Sequence, residues 1–317
     1  MERYYGPTRQ EILALLKQCQ TCGKGREAVP DLPNVFMPGL STSLQQMSHG
    51  ALPLKGIPGF PSFAEKRIWQ LNHMAAAFRY FNRRNYIEGI SGHISVRDPE
   101  YTNAFWINPL GIHFGLLKAC DMILLDMDTG MVLGGNRSRP ASAVGFQIHK
   151  SIHLARGDVN AICLAHTING SAYSALGKPL EMITQDACNF YKAHSVYTNY
   201  GGVVLGEEES RNIASALGRN KACLLVNHGL LTTGGTVDEA AYLFGLMERC
   251  CQAQLLADAA TAAGKPKHII GEHEAAYNFK LTSDPERLYA DFQPDYDYEE
   301  AMSHGDFKQF DTAMFLD

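Results

Sequence analysis

The sequence predicts an α/β fold in which helices cover a mixed β-sheet. Short apolar segments of strand length alternate along the chain with longer amphipathic segments of helical period. Several of the short segments are separated by turns of hairpin length, which join antiparallel neighbours rather than parallel ones. The chain has 317 residues, of which 45% are hydrophobic and 19% charged, so it is long enough for one sizeable domain with extensions.

The N-terminal part differs in composition from the rest of the chain. Residues 1–61 contain a short helical segment at Gln10–Cys19 and then a stretch rich in Pro, Gly and Ser. The first clear helix begins after Ser62, which forms a capping box with Glu65. We therefore predict an N-terminal extension at 1–61 that precedes the folded domain.

The central part of the chain contains the strands and most of the helices. Strands are predicted at Ile90–Val96, Ala104–Asn108, Met122–Asp126 and Met131–Leu133, and a helix at Val144–Ala155. Two further apolar strands end next to His166 and His228. Thr236 and Glu239 form a second capping box, which begins a long helix that ends before Pro266.

The last part of the chain is polar and aromatic. Residues 267–317 show no apolar period of their own, so we predict a tail that packs on a neighbour or stays free. The domain is accordingly expected to span 62–266.

Composition excludes several classes of protein. The formal net charge is −5 and positive residues are scattered, so neither a nucleic-acid partner nor an anionic membrane surface is predicted. No apolar run reaches the roughly 18 residues of a membrane helix, and most cysteines lie in apolar segments, as buried thiols of cytosolic proteins do. The chain has no dinucleotide-binding loop, no phosphate-binding P-loop and no serine-hydrolase elbow.

Two histidines at strand ends are the first candidates for chemistry. His166 and His228 each follow a buried strand, so they can converge on one divalent metal, for which imidazole is a common ligand. A catalytic zinc usually takes three protein ligands. Residue 164, which shares a strand face with His166, is leucine. The pair therefore predicts a metal site with fewer protein ligands than usual.

Four segments of the chain together resemble the class II aldolase and adducin head-domain family. They are Glu88–Pro99, Phe105–Gly111, Ala165–Thr167 and Asn227–Leu231, in this order. The resemblance covers about residues 63–262 and is strongest to the adducin-like branch, because His93 stands where sugar-phosphate aldolases usually carry Asn. It implies a three-layer α/β/α sandwich with a mixed, largely antiparallel sheet, and usually a homotetramer.

The resemblance also implies a divalent metal site. In the enzymatic members, two histidines of an HxH strand, a later NHG histidine and a helix glutamate bind the ion, which stabilises an enediolate. His166 and His228 match two of these positions, whereas Leu164 and Gly145 stand at the others. We therefore expect one weakly held ion (Zn, Mn, Fe or Co) or none.

Three residues are candidates for acid–base catalysis. Asp186 is the best remaining carboxylate, and His93 belongs to a loop that the family uses to bind anions. His149 lies one helical turn after Gly145, so it can replace the missing glutamate. Each has a structural alternative: a turn carboxylate, a turn histidine that caps a strand and a helix histidine that packs on the sheet. His153, a further turn along, is predicted to be exposed.

The substrate-binding positions follow from the resemblance alone. The family presents backbone N–H groups, hydroxyls and polar side chains to a phosphate or carboxylate, some of them from an adjacent subunit. The matching residues here are Gly92, Ser95, Asn108, Gly111, Gln185 and Tyr191.

Two functions remain open at this point. The first is a cytoplasmic enzyme of small-molecule metabolism that acts on a carbonyl substrate by C–C bond cleavage or formation, decarboxylation, or enolate-type isomerisation or cyclisation. Its mechanism would be repurposed from the metal-dependent one. The second is a non-catalytic adducin-like oligomeric binding module. A homotetramer is expected in either case.

Overall fold

One eight-stranded sheet forms the centre of the protein. The computed structural model describes residues 42–49, 52–204, 206–261 and 264–308, and the predicted helical segment Gln10–Cys19 lies outside them. The strands within these ranges are β1 His93–Arg97, β2 Ala104–Ile107, β3 Ile123–Asp126, β4 Val132–Gly135, β5 Ala161–Ala165, β6 His194–Tyr197, β7 Ala222–Leu225 and β8 Gly229–Gly234. Their order is β4-β3-β2-β1-β5-β8-β7-β6, and each neighbouring pair is antiparallel except β6–β7.

Helices cover both faces of this sheet. They are α1 Thr42–Met47, α2 Phe63–Arg83, α3 Ala143–Ala155, α4 Ile168–Ser174, α5 Glu207–Leu217, α6 Val237–Thr261, α7 Glu272–Thr282 and α8 Pro285–Ser303. The predicted starts of α2 and α6 are confirmed. Ser62 Oγ accepts the Glu65 N–H at 3.2 Å, and Thr236 Oγ1 accepts the Glu239 N–H at 3.1 Å.

Hydrophobic side chains pack between the sheet and the helices on each of its two faces. On one face, Ile148 of α3 and Ile213 of α5 pack with Ile162 of β5. On the other face, α2 and α6 pack against the sheet and α8 packs on these two helices; Phe78 and Phe244 are fully buried there. The predicted three-layer α/β/α sandwich with a mixed, largely antiparallel sheet is therefore confirmed.

The C-terminal part contradicts the prediction of a tail without a core pattern. Residues 272–303 form α7 and α8, and α8 packs on α2 and α6. Leu288 and Phe292 of α8 are completely buried, as is Phe307 beyond it. These side chains complete the core on the α2 face, because together they cover apolar surface that α2 and α6 leave open. Across the described residues, no helix combines the length and apolarity that a membrane span requires.

Strand register places the predicted site residues on one face. His93 of β1 lies opposite Leu164 of β5, and Leu164 lies opposite Leu231 of β8. Directly opposed residues point to the same face of a sheet, so these side chains all face α3. His166 follows β5, and His228 lies in the turn between β7 and β8. Because β8 is the neighbour of β5, the two histidines reach the same edge.

Candidate active site

A cavity of about 550 Å³ opens at this edge of the sheet. Its volume lies in the range of small-molecule sites. Its polar lining includes His93, His166, His228, Glu88, Ser142, Ser171 and Asn227, and its apolar lining includes Ile90, Leu110, Val144, Leu164, Val203 and Val204. Among the described lining residues there is no Lys or Arg. The first turn of α3 borders the cavity, so the partial positive charge of a helix N-terminus is directed toward it.

His228 is held at the cavity by a tight turn. Asn227 takes a left-handed conformation with φ 57°, which asparagine adopts more readily than most residues. Gly229 follows, and a Cβ there would lie 2.9 Å from the Ala165 carbonyl oxygen, so a side chain would separate β8 from β5. Burial, together with the neighbouring His166, lowers the pKa of His228 to about 4. The imidazole is therefore neutral at physiological pH.

His166 lies beside His228 at the mouth of the cavity. The two ring centroids are 5.1 Å apart, and Glu88 Oε2 is 3.3 Å from His166 Nδ1. The chain just after His166 is fixed by Glu248, whose carboxylate accepts the Gly170 N–H at 2.7 Å at the start of α4. His166 is therefore anchored at its backbone, while 31% of its side chain stays exposed to the cavity and solvent.

His93 occupies the inner wall of the cavity. A Cβ on Gly145 would lie 2.9 Å from His93 Cδ2, so only glycine on α3 leaves room for this imidazole. Gly145 is also the position that the family resemblance matches to a metal-binding glutamate. The histidine ring has thus taken space next to the missing carboxylate. Burial, with His228 and His166 nearby, lowers the pKa of His93 to about 3.

A line of buried polar groups runs from His93 into the protein. His93 Nδ1 is 2.7 Å from His149 Nε2, and His149 Nδ1 is 2.5 Å from Ser95 Oγ. Ser95 Oγ is in turn 2.9 Å from His153 Nε2. Ser95 and His149 are completely buried, and His153 is 1% exposed. Burial is the main cause of a lowered pKa at both His149 and His153, at about 3 for the latter.

The residues that are present do not match the metal site implied by the resemblance. His166 and His228 adjoin one another, but Leu164 and Gly145 supply no donor, and the His93 ring fills the space beside Gly145. Within the described parts of the chain, no three His, Cys, Asp or Glu side chains are grouped closely enough to hold an ion. A catalytic zinc takes three protein ligands, so His166 and His228 alone fall short of that donor set.

The other predicted residues have varied positions. Gly92 lines the cavity with φ 89°, a conformation that favours glycine. The Ser95 hydroxyl is held between two histidines, and Asn108 Oδ1 is 3.4 Å from the Ile94 amide nitrogen, so neither is among the lining residues. Gly111 is exposed, and its carbonyl accepts a hydrogen bond from Arg139 at 3.3 Å. Substrate contacts by these residues stay predictions.

Asp186, Gln185 and Tyr191 lie outside the cavity of their own chain. Asp186 begins a short 3-10 helix and pairs with Arg249 at 3.3 Å. None of the three is among the described residues that line the cavity. Their predicted roles in substrate binding and catalysis stay predictions.

Two features of the site were not predicted from the sequence. The expectation that His153 is exposed is wrong: it is buried against Ser95, because the α3 face that carries His149 also carries the residue one turn later. Glu88 has an exposed side chain, and its carboxylate contacts His166 at the mouth of the cavity. The four-residue spacing of His149 and His153 was the signal in the sequence from which the burial of His153 could have been predicted. The second feature depends on a contact between distant segments.

The fold and this site define the class of protein. Residues 72–255 match the family described as class II aldolase and adducin N-terminal domain, and the chain belongs to that family. It is similar to the meiotically up-regulated gene 14 protein of Schizosaccharomyces pombe, with 46% identity over 80% of this chain and 97% of that protein.

Two Streptomyces proteins are each 42% identical. One is the decarboxylase NovR of Streptomyces niveus, with 68% of this chain and 78% of that protein covered. The other is the 4-hydroxy-3-prenylphenylpyruvate oxygenase/4-hydroxy-3-prenylbenzoate synthase of Streptomyces roseochromogenus, with 65% and 74% covered. Among solved structures, an L-fuculose 1-phosphate aldolase from Glaciozyma antarctica aligns with a TM-score of 0.73 and 37% identity, over 80% of this chain and 97% of that one.

Proposed function

We propose that the protein is an enzyme that cleaves a C–C bond next to a carbonyl group in a small carboxylic acid with an apolar body. The observation that carries this proposal is the cavity itself, where three histidines lie against an apolar wall. The named relatives support the reaction class, since one is a decarboxylase and a similar structure is an aldolase. Both reactions pass an electron pair to an enolate.

Features of the cavity favour this kind of substrate. The apolar side of the lining suits an aromatic or branched body, and a relative is named for a phenylpyruvate. The N-terminus of α3 favours a carboxylate near Ser142. Neutral imidazoles can donate a hydrogen bond to a developing enolate oxygen, and burial of the site strengthens such bonds. A weakly held divalent ion at His166 and His228 would add charge stabilisation, but the proposal does not require it.

The test is turnover by the purified full chain. We would incubate it with arylpyruvates, aryl 3-oxo acids and aldol adducts, and follow products by NMR and release of CO₂. His228→Ala is expected to abolish turnover and leave the melting temperature nearly unchanged, because the side chain is only partly buried. A His228→Ala protein that unfolds would instead assign a structural role to this histidine.

The alternative is a non-catalytic binding module of the adducin type. The leucine and glycine at two ligand positions are the observation that favours it. A folded protein that turns over none of these substrates, and binds none of them, would support this alternative.

We also propose a cytoplasmic homotetramer whose subunits meet near the cavity. Two apolar side chains at the rim are strongly exposed in the single chain, Ile90 at 67% and Val203 at 73%. An adjoining subunit would cover them and bring Asp186 toward the site. Val203→Glu is expected to give smaller particles in light scattering after gel filtration, whereas Met131→Glu, at an exposed hairpin, is the matched control. Buried thiols such as Cys163 and Cys223 fit a reducing compartment.

A further inference from the structure

The buried line of hydrogen bonds behind the cavity has a direction. At its inner end, His153 Nδ1 lies 3.3 Å from the Val159 carbonyl oxygen and 3.3 Å from Arg97 Nη2. Arg97 Nη2 has closer acceptors in the carbonyl oxygens of His153 at 2.7 Å and Arg156 at 3.2 Å. The Val159 carbonyl oxygen is also 3.3 Å from Arg97 Nη2, so we assign the two hydrogens of this nitrogen to the nearer carbonyls of His153 and Arg156. His153 Nδ1 is therefore the protonated nitrogen, and it donates to Val159.

This end determines every donor along the line. With its proton on Nδ1, neutral His153 can only accept at Nε2, so the Ser95 hydroxyl donates to it. The oxygen of Ser95 then accepts from His149 Nδ1, which leaves His149 Nε2 as the acceptor for His93 Nδ1–H. The remaining nitrogen, His93 Nε2, carries the lone pair.

We propose that His149, Ser95 and His153 are positioning residues that hold His93 in one neutral tautomer, with an unprotonated Nε2 presented to the cavity as a general base. His93 is one of the cavity-lining residues, whereas the three residues behind it are buried and are not among the described residues that line the cavity. Among the described residues, the hydrogen-bond partners of the His149 ring are His93 and Ser95.

The role of this base depends on the proposed function. In an aldol cleavage, His93 Nε2 takes the proton of the substrate β-hydroxyl, and that oxygen becomes the carbonyl oxygen of the first product. The C–C bond breaks and its electron pair forms the enolate of the second product. The resulting imidazolium returns the proton to the enolate carbon, so the histidine ends the cycle neutral. The wrong tautomer would present an N–H to the hydroxyl and could not start this sequence.

The direct test is the protonation state of His93 in the full chain labelled with ¹⁵N-histidine. The His93 signals are assigned by their loss in His93→Gln. We expect a protonated Nδ1 and an unprotonated Nε2 near neutral pH. A protonated Nε2 in the wild-type protein would overturn the proposal whatever the protein catalyses.

Interruption of the line tests its role. Ser95→Ala removes the hydroxyl, so His149 loses its fixed donor direction, and we expect His93 to populate the Nε2–H tautomer. We expect kcat to fall by at least about tenfold with little change in KM, since a mis-set tautomer lowers kcat by about 10⁴ in the serine-protease triad. Ser95→Thr keeps a hydroxyl and should restore the wild-type tautomer. Ser210→Ala is the matched control, because Ser210 is equally buried but its hydroxyl bonds to the carbonyls of Gly206 and Glu207 and to Ser151, away from the line behind His93.

The outcomes separate the two proposals. If Ser95→Ala does not fold, His153→Asn interrupts the same line at its inner end and takes its place. A tautomer unchanged by both variants overturns the positioning role. If the variants change the tautomer as expected but the protein turns over none of the tested substrates, the positioning role is retained and the proposed function is refuted.

Discussion

The two faces of the sheet bury their polar groups in different ways. On the α2 face, His73 Nδ1 is 2.6 Å from Asp238 Oδ1, and Arg67 Nε is 2.6 Å from Asp98 Oδ2. On the α3 face, His93 is bonded to another neutral imidazole. A buried histidine bonded to a carboxylate has the orientation of its ring fixed, whereas a neutral imidazole with one free nitrogen keeps a lone pair for chemistry. The difference assigns stability to the first face and chemistry to the second.

Removal of His93 should produce the largest effect on activity. Loss of a general base typically lowers turnover by about 10²–10⁴-fold. We expect His93→Gln to lower kcat by this order, with a smaller effect on unfolding because glutamine can still bond to His149. The measurement is kcat on the best substrate of the panel, beside a urea unfolding curve. Unchanged turnover in a folded His93→Gln protein would contradict the assignment of catalysis to the α3 face.

Removal of His73 should produce the opposite pattern. The pair with Asp238 is buried, and the His73 ring also stacks on Tyr296 with centroids 4.1 Å apart. Loss of a buried hydrogen bond to a carboxylate costs about 1.5–3 kcal/mol of unfolding free energy. We expect His73→Gln to lose stability on this scale in urea unfolding, while kcat per folded molecule stays at the wild-type value. If His73→Gln lowered kcat as much as His93→Gln does, the two faces of the sheet would not differ in function as proposed.

Acid should destabilise the protein through the α3 face. The pKa of His93 is lowered from about 6.5 to about 3, so the unfolded chain takes up a proton that the folded chain does not. Stability is therefore lost as pH falls from about 6.5 toward 3. For His93 alone the loss between about pH 7 and pH 5 is about 2 kcal/mol. His93→Gln should show a correspondingly smaller drop in urea unfolding free energy, and an identical drop would contradict the buried neutral state.

Restoration of one metal ligand should give a smaller effect, a gain in zinc affinity. Leu164 lines the cavity on the same strand face as His166, so Leu164→His rebuilds the HxH pattern. We expect zinc affinity to rise by at least about tenfold in calorimetric titration, since even indirect ligand partners change metal affinity by about 10- to 100-fold. Leu231→His, opposite it on β8, is the matched control. Equal affinity in the wild-type and Leu164→His proteins would show that position 164 does not face the ion.

The sequence predicted the fold better than the site. Ser62 and Thr236 could be recognised as helix starts, because each capping residue lies only three positions before its partner and the pair is visible in the sequence. The C-terminal helices were missed although Leu288, Phe292 and Tyr296 follow a four-residue spacing, because Pro294 and many charged residues interrupt the apolar pattern. The line behind His93 depends on which face of α3 meets β1. That contact is a property of the tertiary packing, so spacing alone could not connect Ser95 to His149.

The position of a bound substrate analogue will show whether the chemistry takes place on the α3 face. We would determine a structure of the full chain with phenylpyruvate, a probe that carries a carbonyl, a carboxylate and an apolar body. We expect its carbonyl to lie within hydrogen-bonding distance of His93 or His228, with the aromatic ring against Leu164. A probe bound only outside this cavity, or a cavity that stays closed to it at saturating concentration, would contradict the assignment of chemistry to the α3 face.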